Sequence, residues 1–172
     1  MSGFEARAET AQGRALFEEL RWVHGMIRRD LEVVERLARS VLSGLPADAV
    51  QSEIGELQTS SPLWQLKVNC LHYCRFVHLH HNLEDTAFFP TLRAANPALG
   101  PVVDKLEADH RTVADLLDEI EEAAARLGRD DCAAARRRVA DGLDALGVQL
   151  LAHLDYEEQH AGPTIRRLTN WR

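Results

Sequence analysis

The chain has 172 residues and a formal net charge of −7, with 45% hydrophobic and 27% charged residues, enough to bury a core without disulfide staples. The acidic balance leaves no basic face for phosphates, which excludes nucleic acid and an anionic membrane surface as expected partners. No apolar stretch is long enough to span a bilayer and the N-terminal MSGFEARAET is polar and acidic rather than a signal peptide, so the cytoplasm is the expected compartment.

Ala, Leu, Arg and Glu are plentiful and aromatics make up only 6%, which favours helix over sheet. The first amphipathic segment runs from about Ala11 to Leu45 and closes in the breaker run Ser43-Gly44-Leu45-Pro46. A lesser segment, Ala47 to Leu57, reads as a short helix or irregular connection ending in Thr59-Ser60-Ser61-Pro62. Ser61 followed by Pro62 is an N-cap with proline at the first helical position, and the second long helix runs from there to about Ala95. Asn96-Pro97 opens the third, with Gly100-Pro101 delaying its regular part and Gly128 ending it. Asp130 or Asp131 caps the fourth, which continues to about Ala161 before Gly162-Pro163 stops it. With no strand-like alternation, the expected fold is all-α: one domain over residues 1–172, its core at about 11–165. The architecture is an up-down-up-down four-helix bundle with a short extra helical segment between the first and second long helices.

Each helix has an inward stripe at 3-4 spacing. The first carries Leu20, His24, Ile27, Leu31 and Val34; the second Leu66, Cys70, Tyr73, Val77, His80, Glu84 and Ala87. The third carries Val103, Leu106, His110, Val113, Leu117 and Ile120; the fourth Val139, Leu143, Leu146, Leu150, His153, Glu157 and His160. Histidine interrupts all four stripes, and two carry a glutamate one turn further on.

Buried glutamates cost several kcal/mol unless their charge is met, and two in one core repel. No lysine or arginine falls on any of the four stripes. Four imidazoles and two carboxylates without an internal cation are the donor set that a pair of divalent or trivalent metal ions needs. A His and a Glu four residues apart lie about 40° apart around a helix, one above the other, so both reach one centre. His80-x-x-x-Glu84 and His153-x-x-x-Glu157 are two such pairs, and His24 and His110 add one imidazole each. Pro90 follows Glu84, and Pro163 follows Glu157, at the same spacing, so the bundle reads as two similar halves.

At these residues the chain resembles the hemerythrin-like, HHE cation-binding family, from about Leu16 to Ile165. His80-His81-Asn82-Leu83-Glu84-Asp85 through Phe88-Phe89-Pro90 looks like the family's second-helix motif, and His153-Leu154-Asp155-Tyr156-Glu157-Glu158 like its fourth. His110-Arg111 and His24 match the lone histidines of the other helices. The resemblance implies two non-haem Fe ions joined by an oxo or hydroxo bridge and by the carboxylates of Glu84 and Glu157. It also implies a small ligand: dioxygen, peroxide or nitric oxide. Oxygen-carrying members have a fifth histidine one turn before the third-helix lone His, where this chain has Leu106 and Glu107. The extra open position favours redox chemistry over reversible storage, unless Glu107 or His160 fills it. Any activity would then be peroxidase-like, catalase-like or nitric-oxide-reducing.

Other residues read more plainly. Cys70, Cys74 and Cys132 are odd in number and suit free thiols; Cys70 and Cys74, one turn apart, read as small buried hydrophobes rather than metal ligands. His81 and Asp85 flank the stripe and read as rim residues, with an orienting role as the alternative. His72 and His78 read as exposed, Tyr73 as packing, and Trp22, Trp64 and Trp171 as anchors at bundle ends. Arg136-Arg137-Arg138 reads as a solvated face. Two rival functions remain. A ferritin-like carboxylate protein would use Glu107-x-x-His110 and Glu157-x-x-His160, whereas a regulatory module would use metal only to staple the bundle for a protein partner.

Overall fold

The computed structural model describes Phe4 and residues 7–43, 62–127 and 129–169. Helix α1 spans Ala11–Leu42. Helix α2, Pro62–Leu83, passes through a π-helical turn, Glu84–Phe88, into α3, Phe89–Ala95. A short 3₁₀ turn, Pro97–Leu99, leads into α4, Gly100–Leu127. Helix α5 spans Ala133–His160 and the single turn α6 spans Gly162–Ile165. Among the described residues there is no strand, and no helix is long and apolar enough to cross a membrane. The expected segment at Ala47–Leu57 and the Ser61 cap lie outside the described residues, as do Trp171 and the side chains of Trp64, Leu66, Cys70 and His72.

The long helices form a closed ring: α1 packs on α2, α2 on α4, α4 on α5, and α5 returns to α1. The cause is the expected apolar stripes. Ile27, Val77, Val113 and Leu150 are fully buried, one from each long helix. They belong to an apolar cluster that fills one end of the bundle with Leu31, Leu117, Leu143 and their neighbours. A second cluster at the other end holds Phe17, Leu20, Phe89, Leu106, Ala161 and Ile165. The histidines and glutamates lie between the two, so the polar layer has apolar packing on both sides.

The α1 N-terminus is fixed by Thr10. Its Oγ1 accepts from Gly13 N at 2.8 Å and donates to the Leu168 carbonyl at 2.5 Å. Gly13 permits this contact: a Cβ there would stand 2.4 Å from the Arg166 carbonyl oxygen. The close approach needs glycine.

Ala87 is exposed and Phe88 takes the inward position, because the π turn inserts an extra residue after Glu84 and rotates the helix beyond it. His160 is exposed and packs against Tyr156 with ring centroids 4.2 Å apart and planes tilted by 38°, while Ala161 carries on the inward stripe. The α5 cap is Cys132 rather than an aspartate. Asp131 is instead engaged by the Arg136 guanidinium, through Nε at 2.6 Å and Nη2 at 2.7 Å. The later start brings His153 closer to the level of His110. Trp22 is 62% exposed, since it follows Leu20 by about 200° around α1 and so faces away from the stripe. Cys74 is fully buried, as expected of a small hydrophobe, and Cys132 is exposed.

Candidate metal centre

The layer between the two apolar clusters is built by one turn of each long helix. His24 comes from α1, His80 from α2, Glu84 from the start of the π turn, His110 from α4, and His153 and Glu157 from α5. All six are between 0% and 9% exposed. His24 Nε2 lies 3.3 Å from Glu157 Oε2, His80 Nε2 3.4 Å from Glu84 Oε1, and His110 Nε2 3.4 Å from Glu84 Oε2. Glu84 thus faces imidazoles from two sides, one oxygen to each. The donor atoms form two groups: His24, His80 and Glu84, and His81, Glu84, His110 and His153, with the atoms of each within 4.8 Å of one another.

His81 corrects the rim reading. It is 5% exposed, and its ring stacks on that of His110 with centroids 3.9 Å apart and planes 10° from parallel. The cause is the position of α2 between α1 and α4. Consecutive residues on a helix diverge by about 100°, so His80 meets His24 across one interface and His81 meets His110 across the other. One stripe per helix leaves out this second face of α2. The adjacent His-His pair, each with an acidic residue four positions on, was the available signal.

Whether these residues suit a cation is tested by their unpaired atoms. Both carboxylate oxygens of Glu84 and both of Glu157 are buried without a hydrogen-bond partner, as are Nε2 of His24, His80 and His81 and Nδ1 of His153. Buried polar groups are nearly always satisfied, and a cluster of unpaired acceptors in one layer is the chemistry of a metal site. Nitrogen and carboxylate oxygen together suit transition metals rather than Ca²⁺ or Mg²⁺.

The electrostatics agree. Burial and the neighbouring Glu157 and Asp85 charges raise Glu84 well above the usual carboxylate range. Burial, with the nearby His24 and His110, lowers His80 to about 3, and burial with His110 and other imidazoles lowers His153 to about 2. Burial and the surrounding imidazoles also push His81 strongly down. These three are held neutral, the form that a cation would need. Burial lowers His24 as well, but the Glu157 and Glu158 carboxylates outweigh it and leave His24 raised.

Outer groups orient the rings. Asp85 accepts from His110 Nδ1 at 2.8 Å, so Asp85 has the orienting role that the rim reading kept as its alternative. Glu158 accepts from His24 Nδ1 at 2.9 Å and from Arg28 Nη1 at 2.8 Å, and Arg28 Nη2 also donates to Asp155 at 2.8 Å. Asp109, which is paired with Lys105, lies 3.6 Å from His153 Nδ1. Glu158 and Arg28 were not singled out in the sequence. Phe89 stacks on His110 at 5.2 Å.

Glu107 and His160 stand apart from the layer. Glu107 accepts from Arg93 Nη2 at 3.0 Å, and His160 is exposed, so neither of the two Glu-x-x-His pairs of the ferritin-like reading is assembled. His78 is half-buried beside Asp118, and Tyr73 is a buried packing residue.

No significant match is found among curated proteins or solved structures. The sequence does match the family described as the hemerythrin HHE cation-binding domain over residues 15–165, a span that includes every residue of the polar layer. With a helical bundle and a buried His/Glu cluster able to hold metal at its centre, the chain belongs to the hemerythrin HHE cation-binding domain family.

Proposed function

We propose that the chain is a non-haem di-iron protein that binds dioxygen or a related small oxidant, peroxide or nitric oxide, for sensing, storage or detoxification. One observation carries the reading: the four oxygens of Glu84 and Glu157 are buried without a hydrogen-bond partner, and three of them face imidazole nitrogens at 3.3–3.4 Å in a layer sealed by apolar packing. His24 and His80 would hold one ion, and His110 and His153 the other, with Glu84 and Glu157 shared between them. When bound, a pair of iron ions supplies one-electron redox steps and coordination positions for a small ligand.

The chain's own residues set the conditions for that chemistry. Ile27, Val77, Val113 and Leu150 on one side, and Leu20, Phe89 and Leu106 on the other, exclude bulk water and lower the local dielectric. Asp85 and Glu158 keep protons on Nδ1 of His110 and His24, which leaves Nε2 as the ligating atom of each. His110 and His153 approach Nε2 to Nε2 at 3.1 Å, so His153 donates from Nε2 while His110 keeps its proton on Nδ1. A cation held through Nε2 would require the His153 proton on Nδ1, which faces Asp109 at 3.6 Å.

The reading is tested by metal analysis and the ultraviolet-visible spectrum of protein purified aerobically from iron-supplemented cells. The expected result is about two irons per chain with near-ultraviolet bands of a bridged ferric pair. Iron that is absent, and not restored by anaerobic ferrous reconstitution, overturns the reading. Mixing the loaded protein with peroxide then separates sustained turnover from a single colour change.

A further inference from the structure

We propose that His81 is itself a metal ligand, the third imidazole on the His110 and His153 side of the centre. This deepens the di-iron reading and rests on it. Four groups serve the α1 side: His24, His80, Glu84 and Glu157. The α4 side has His110 and His153 with the same two shared carboxylates, and α2 brings one further imidazole, His81, into its group of donor atoms.

Three observations single out His81 for that place. Its Nε2 is buried with no hydrogen-bond partner, an arrangement that a structural histidine in a packed core avoids. Its ring lies parallel to His110 at 3.9 Å and edge-on to His153 at 5.2 Å, so it shares the space of both. Its donor atom falls within 4.8 Å of those of Glu84, His110 and His153. The turn of α4 before His110 offers no free donor, because Leu106 is fully buried in the apolar cluster, Glu107 is held by Arg93 and Asp109 is paired with Lys105. The adjacent pair His80-His81 therefore divides between the two ions, one imidazole to each. A fifth imidazole leaves one fewer position open to a small ligand than the six-residue set.

Anaerobic Co²⁺ titration of the metal-free full chain tests this, because visible absorption reports both stoichiometry and coordination. Wild type, His81→Phe and His81→Asn are compared. Phenylalanine keeps the stacked ring and removes the nitrogens, and asparagine is the second variant should phenylalanine fail to fold, as judged by far-ultraviolet helicity. The expected result is two ions per chain in wild type. In the variants one ion binds with unchanged affinity, while the other is weakened at least about tenfold, with an altered visible spectrum. Variants that bind two ions with wild-type affinities and spectrum overturn the role of His81 and leave the di-iron reading standing. Wild type that binds no metal overturns both.

Discussion

The Asp85 carboxylate accepts a hydrogen bond from His110 Nδ1 at 2.8 Å, across the interface between the π turn and α4. This bond fixes both the tautomer and the rotation of the ring, and leaves Nε2 directed at Glu84 and His153. Asp85→Asn keeps the shape but weakens the acceptor. Metal affinity is expected to fall about 10- to 100-fold, with helicity and the metal-free melting midpoint unchanged. Competition titration against a chelator reads the loss, and unchanged affinity would remove Asp85 from the centre.

Glu158 plays the corresponding part for His24, held in turn by Arg28. Glu158→Gln is expected to weaken metal binding by a similar factor. Arg28→Ala acts only through Glu158 and should cost less. A larger loss from Arg28→Ala than from Glu158→Gln would reverse this order of influence.

Glu84→Gln should shift stability in opposite directions with and without metal. The Glu84 carboxyl is raised by burial and by the Glu157 and Asp85 charges. A raised folded pKa favours the fold below the ordinary carboxylate value of 4.5, and that contribution is lost as pH rises. At neutral pH the metal-free variant should therefore melt above metal-free wild type, with the gap closing in acid. Metal at 100 times its dissociation constant should stabilise wild type by about 2.7 kcal/mol and the variant by almost nothing. Thermal melts with and without metal decide it; an equal metal-dependent gain in both proteins would show that Glu84 is not a ligand.

Metal uptake should release protons, and affinity should climb with pH. Glu84 and His24 are both raised in the metal-free chain, and each must give up its proton to ligate. Affinity is expected to rise with pH as these two groups lose their protons. Calorimetry in buffers of different ionisation heat counts the protons, and a heat independent of buffer would contradict the assignment.

Glu107→Gln should leave metal content unchanged, since its carboxylate is engaged by Arg93 and lies outside the layer. Collapse of loading in this variant would instead restore the ferritin-like arrangement. Gly13→Ala tests the bundle end independently. Its Cβ would meet the backbone oxygen of Arg166 at 2.4 Å, so the variant should lose about 1–3 kcal/mol in denaturant melts while keeping its metal.

The sequence by itself determined the helical bundle, the family, and a layer drawn from all four helices. Hydrophobic periodicity is a local property, and His24, His80, Glu84, His110, His153 and Glu157 all lie on stripes that 3-4 spacing reveals. Tertiary structure decided what depends on the neighbours of each helix. The π turn exchanged Ala87 for Phe88, a change of hydrogen-bond register that side-chain periodicity does not record. His81 became buried because α2 has two partners and so two buried faces, one toward His24 and one toward His110. Asp85 and Glu158 became orienting acceptors, and Glu107 was turned away by Arg93, because the ring of helices brings distant side chains within hydrogen-bond reach. Spacing along one helix fixes which side chains share a face; only packing decides what each face meets.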